Sequence, residues 1–66
     1  MTAKEILNDL GLKCSLGSWE TEDGWHEAIC YNRKQGETWV KKLEAAGYKA
    51  WVYYEQYAYI VCFKKK

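Results

Sequence analysis

The chain has 66 residues, a net charge of +1, 48% hydrophobic residues and only 29% charged ones. That balance excludes an intrinsically disordered chain, and near-neutrality excludes a global field that would pull it toward nucleic acid or membrane. The length suits one domain, residues 1–66, with a small core whose stability rests on dense packing of four Trp, six Tyr and one Phe.

At the N-terminus, Thr2-Ala3-Lys4-Glu5 has the form of a capping box, with the hydroxyl and the carboxylate satisfying each other's free amides. Ile6, Leu7 and Leu10 then share one helical face, and Gly11 suits the left-handed residue that ends a helix. The pattern predicts a helix over residues 3–10. It alternates charges and aliphatics, unlike an export signal.

Residues 12–32 read as two strands joined at Asp23-Gly24, a dipeptide favoured in tight hairpin turns. A two-residue loop there would set Glu22 opposite Trp25, Thr21 opposite His26 and Trp19 opposite Ala28. Trp19, Thr21, His26, Ala28 and Cys30 would share one face. Leu16, Ser18, Glu20, Trp25, Glu27, Ile29 and Tyr31 would share the other. Of the two strands, Trp25 to Tyr31 has the stronger pattern.

Arg33-Lys34-Gln35-Gly36 reads as a polar loop. From Glu37 the period becomes helical, with Trp39, Val40, Leu43 and Ala46 as the apolar stripe and Gly47 as the stop. The segment Trp39 to Val52, a helix followed by Ala45-Ala46-Gly47-Tyr48 and a strand, resembles the helix–turn–strand piece of SPOR-type and other ferredoxin-like domains. The rest of the chain departs from that pattern, and no function is carried across.

Lys49 to Tyr54 and Tyr57 to Lys64 have strand composition. The turn at Glu55-Gln56 has no Gly or Asn to fix its type. A two-residue loop would mix the two faces. An odd-length loop, the expectation because it gives each face a coherent chemistry, would gather Ala50, Val52, Ala58, Ile60 and Cys62 on one face. Trp51, Tyr53, Tyr57, Tyr59, Val61 and Phe63 would then form an aromatic surface opposite. The element order is α-β-β-α-β-β. It predicts an α+β fold, a four-stranded, mostly antiparallel sheet with two helices packed on one face.

Three cysteines, Cys14, Cys30 and Cys62, fit buried reduced thiols better than a disulfide framework. With His26 they could compose a Cys₃His zinc set, but they lack the close paired spacing of structural zinc ligands. Carboxylate pairs such as Glu20 and Glu27 could suggest acid–base work, but at a hairpin tip they are more often solvated charges. There is no phosphate loop, nucleophile elbow or cofactor fingerprint. The expectation is a noncatalytic domain with no metal and no cofactor.

More aromatic side chains are present than a core this small needs, which points to a binding surface. The partner expected is another protein, or a second copy forming a homodimer, met by Trp51, Tyr53, Tyr57 and Tyr59. The acidic hairpin residues Glu20, Glu22, Asp23 and Glu27 would steer it. The alternative is single-stranded nucleic acid, stacked on the same rings and held by Lys49, Lys64, Lys65 and Lys66. No segment has the ~20 apolar residues of a membrane span, so a cytoplasmic location is expected. A small domain that clamps onto a larger protein through such a surface would act as an inhibitor or adaptor. In format, though in no motif, the chain resembles small accessory proteins of phages and mobile elements, anti-CRISPR inhibitors among them.

Overall fold

Local hydrogen bonding starts both helices. In the computed structural model, which describes Met1 to Lys66, helix α1 spans Ala3–Asp9. The Glu5 amide donates to Thr2 Oγ1 at 3.3 Å, and the Thr2 amide donates to Glu5 Oε1 at 2.8 Å. That second bond holds the Glu5 carboxyl below its usual range. Gly11, with φ of +76°, turns the chain out of the helix.

Helix α2 spans Arg33–Ala45 and therefore includes the stretch expected to be a polar loop. Asn32 is its cap: the Gln35 amide donates to Asn32 Oδ1 at 2.8 Å, and the Tyr31 amide donates to Gln35 Oε1 at 2.6 Å. Gly36 hides this helical turn because glycine disfavours helices. Here it permits contact instead. A Cβ at position 36 would lie 2.6 Å from Val52 Cγ2 and 3.0 Å from Cys30 Sγ. Gly36→Ala is thus expected to lose about 1–3 kcal/mol to overpacking, more than the ~0.5–1 kcal/mol that alanine contributes in a helix. Urea unfolding measures the loss, and adding Val52→Ala should recover part of it.

Strands β1 (Ser18–Glu20), β2 (His26–Cys30), β3 (Tyr48–Glu55) and β4 (Ala58–Lys65) form one sheet in the order β1-β2-β4-β3. Every pairing is antiparallel. The fold is α+β as expected, but both hairpin registers differ from the sequence reading.

In the first hairpin Trp19 pairs with Glu27 and Glu20 with His26, one residue away from the predicted pairing. Thr21 to Trp25 form a five-residue connection rather than a two-residue turn. It is closed by Thr21 N–H to Trp25 C=O at 2.8 Å and by Trp25 N–H to Thr21 Oγ1 at 3.1 Å. In the second hairpin Glu55 pairs with Ala58, leaving Gln56-Tyr57 as a two-residue loop. Both loop residues take positive φ, 50° and 64°. Twist matching of the long strands imposes this turn although neither residue favours it.

One core lies between the sheet and the helices. It joins Ala3, Ile6 and Leu7 of α1, Leu12 and Cys14 of the following loop, and Trp39 and Leu43 of α2. The sheet supplies Ala28, Cys30, Val61 and Phe63. These strand residues alternate, as a one-sided sheet requires. An odd loop would put Val61 and Phe63 on the aromatic surface; the two-residue loop turns them toward the helices. Ile60 and Cys62 face the other way. No helix is long and apolar enough to cross a membrane.

Candidate functional site

The sheet face without helices is built by alternation. Trp19 pairs with Glu27, Glu27 with Cys62, and Cys62 with Trp51, making one row across all four strands. The neighbouring row holds Ile29, Ile60 and Tyr53. From the hairpin connection Trp25 folds over this surface, its ring 4.7 Å from that of Trp51. Trp19 and Trp51 are 39% and 48% exposed, although their neighbours Ile60 and Cys62 are buried. Large rings cover a small floor and still present themselves to solvent.

Glu27 sits among these rings. Trp19 Nε1 donates to its Oε1 at 2.7 Å, and the Tyr53 hydroxyl donates to its Oε2 at 3.0 Å. No lysine, arginine or histidine pairs with this carboxylate; the two ion pairs in the chain are His26–Glu20 and Arg33–Glu37. Beside it, Thr21, Asp23, Trp25, Trp51 and Cys62 help enclose a hollow of about 210 Å³. The Lys64 ammonium lies over Trp25, 5.7 Å from its ring centre, and donates to the Asp23 carbonyl oxygen at 3.2 Å.

Two acids on this face are weakened. Burial, with the hydrogen bond and charge of Glu27 behind it, pushes the Tyr53 hydroxyl up to about 12. Burial, again followed by Glu27, pushes the Cys62 thiol up to about 11. Both pKa values are raised on folding, so their contribution is complete below the unfolded values and fades as pH climbs through the folded ones. Stability is therefore expected to hold to about pH 9 and fall between about pH 9 and 12. Tyr53→Phe should flatten the upper part of that fall in thermal melts.

The structure brings together Trp51, Tyr53 and Glu27 of the expected contact residues and separates the others. Tyr59 belongs to the helix side, its ring 4.8 Å from that of Tyr54. Tyr57 lies in the turn and is 95% exposed. Glu20 also belongs to the helix side, accepting from the Ala3 amide at 3.4 Å and lying 3.5 Å from His26 Nδ1. It therefore does not pair with Glu27 as acid and base. Glu22 and Asp23 stay exposed in the hairpin connection.

Lys49 and Lys64 share the open face, whereas Lys65 lies over Tyr48 on the helix side at 5.2 Å. Lys66 follows as the exposed last residue. The three cysteines are free and buried. Cys62 is on the opposite side of the sheet from Cys30 and His26, which divides the conceivable zinc set, and no group of three or more His, Cys, Asp or Glu is arranged to hold a metal.

Trp19 and Trp25 are the contact candidates that sequence reasoning missed. The one-residue register error put Trp19 with His26 and the core positions. A count of five connecting residues would have placed it beside Glu27. Tyr57 is a separate case, since its left-handed backbone costs about 1 kcal/mol that no packing of its own ring returns. Gln56→Asn with Tyr57→Gly should raise stability by about 1–2 kcal/mol in urea melts.

No protein family, curated protein or solved structure was found to match the chain.

Proposed function

We propose that the chain is a noncatalytic protein-binding domain, an inhibitor or adaptor, that uses its open sheet face to hold a basic segment of another protein. The observation that carries this reading is Glu27, a carboxylate set among Trp19, Tyr53 and Trp51 with no cation of its own. Covering that face with an apolar partner would strand a charge, at a cost of several kcal/mol. A partner arginine or lysine would instead find a carboxylate beside the exposed rings of Trp19 and Trp51. Glu22 and Asp23 at the hairpin tip supply long-range steering of the same sign. Exposed tryptophans around a small hollow are the usual anchors of a protein interface.

The three reduced, buried thiols fit an intracellular setting, and a cytoplasmic location is part of the proposal. An accessory role in a phage or mobile element, with a basic nucleic-acid-handling protein as target, suits this size and charge pattern.

A second reading has its own support: Lys49 and Lys64 stand on the same face as Trp51 and Trp25. Single-stranded nucleic acid would stack on those rings and pair with those ammonium groups. Fluorescence titration separates the two. Under the first reading an oligo-arginine peptide perturbs tryptophan emission, Glu27→Gln weakens that response, and oligo-dT has little effect. Binding of oligo-dT that weakens on Lys49→Gln and Lys64→Gln, with a reduced salt slope, would replace the first reading with the second.

A further inference from the structure

Strand β3 is a sheet edge with its backbone unused. The two-residue loop makes Glu55 and Ala58 the bonded pair that closes the hairpin, so Tyr53, Trp51 and Lys49 bond to β4 by alternation. The Lys66 amide donating to the Gly47 carbonyl at 3.2 Å shows the same parity at the other end. Tyr48, Ala50, Val52 and Tyr54 therefore turn their N–H and C=O groups outward. No other strand lies beyond them.

Natural edges are protected by proline, bulges, short length or several charges. This one runs eight residues in unbroken register, and the chain has no proline. Its only lysine is Lys49. Beside it runs a trough of about 570 Å³, lined by Ala50, Trp51 and Val52 of the strand and by Val40, Lys41 and Glu44 of α2, among others. The opposite edge, β1, has only three residues.

We propose that the occupant of this edge is a second copy of the chain, paired β3 to β3 in antiparallel fashion with the two-fold axis at Trp51. This pairing lies beyond the open-face reading and does not rest on it. Among two-fold registers that oppose the outward groups, this one engages all four outward residues of each strand. Tyr48 then meets Tyr54 of the other copy, and Ala50 meets its Val52. About eight hydrogen bonds form, two for each of four bonded pairs.

Trp51 meets its own copy at a non-bonded position, where strand backbones come within ~4.5 Å and side chains pack most closely. Lys49 faces a tyrosine, Tyr53, so no like charges are opposed along the strand. On the helix side the incoming Ala50, Val52 and Tyr54 side chains enter the trough next to Val40. One long edge and one short edge make the assembly close as a dimer rather than grow. The result is a continuous eight-stranded sheet with its two open faces side by side.

Light scattering coupled to size exclusion, run on the whole chain from micromolar to millimolar, tests this. The wild type is expected to be a dimer. Trp51→Lys, which opposes two ammonium groups at the axis, and Tyr54→Pro, which removes an outward N–H that no group of its own chain uses, should both give folded monomers by circular dichroism. A wild type that stays monomeric at every concentration overturns the proposal and leaves the edge to a strand of another protein. A dimer that survives both substitutions overturns it as well. Tyr54→Pro leaves the Glu27 surface in place, so its oligo-arginine titration reports on the open-face reading separately.

Discussion

Replacing Phe63 with alanine is expected to unfold the protein at room temperature. Phe63 is completely enclosed, with its ring 5.2 Å from His26 and edge-on to Tyr48 at 5.9 Å. It stands on the central strand β4, between His26 of β2 and Ala50 of β3, and it faces the helices. Truncation of a phenylalanine in such a place costs about 3–5 kcal/mol, through lost transfer energy and the cavity left behind. A single core in a chain this short rarely supplies more than about 3–5 kcal/mol in total. The substitution therefore removes roughly everything available. Far-ultraviolet circular dichroism should show lost structure, whereas Phe63→Leu, which keeps most of the volume, should remain folded with a lower urea midpoint.

The second large effect is on binding. Trp51→Ala is expected to lower affinity for a basic protein partner by about 2 kcal/mol or more, some thirtyfold, as for a central aromatic anchor. Its effect on folding should be smaller, since the ring is half exposed and its tilted contact with the Trp25 ring is worth about 0.5–1.5 kcal/mol. Isothermal titration with an arginine-rich peptide, set beside urea melts, separates the two costs. Equal losses in both would make Trp51 a packing residue rather than an anchor.

The parts of this fold legible in the sequence were those fixed by local chemistry. Thr2 and Glu5 announce α1, and the stripe of Trp39, Val40 and Leu43 announces the later turns of α2. The opening turn of α2 was hidden because Gly36 is there for close approach to Val52 and Cys30, a tertiary demand that no local pattern carries. Strand composition marks both hairpins but neither register, for one reason. Face assignment depends on the parity of the loop, and loop parity here is set by the sheet.

Gln56 and Tyr57 accept positive φ because the long β3–β4 ladder requires it, against their own preference. Asp23-Gly24 looks like a two-residue turn but lies inside a longer connection closed by Thr21. These two shifts account for the changed site. An aromatic open face exists as composition suggested, but its members are Trp19, Trp25, Trp51 and Tyr53, while Tyr59 joins the helix side and Tyr57 the tip. The role of Glu27 was legible only as charge. Its place between two hydrogen-bond donors depends on Trp19 and Tyr53 approaching from different strands.

The most direct test of the open-face account is the set of indole N–H resonances in a ¹⁵N-labelled sample titrated with an arginine-rich peptide. Trp19, Trp25 and Trp51 report from the face, and Trp39, buried in the core, serves as an internal control. The account predicts shifts for the first three, largest for Trp19 because its indole donates to Glu27, with Trp39 unmoved and the shifts lost in Glu27→Gln. Unchanged face resonances, or shifts that appear with oligo-dT and not with the basic peptide, would contradict it.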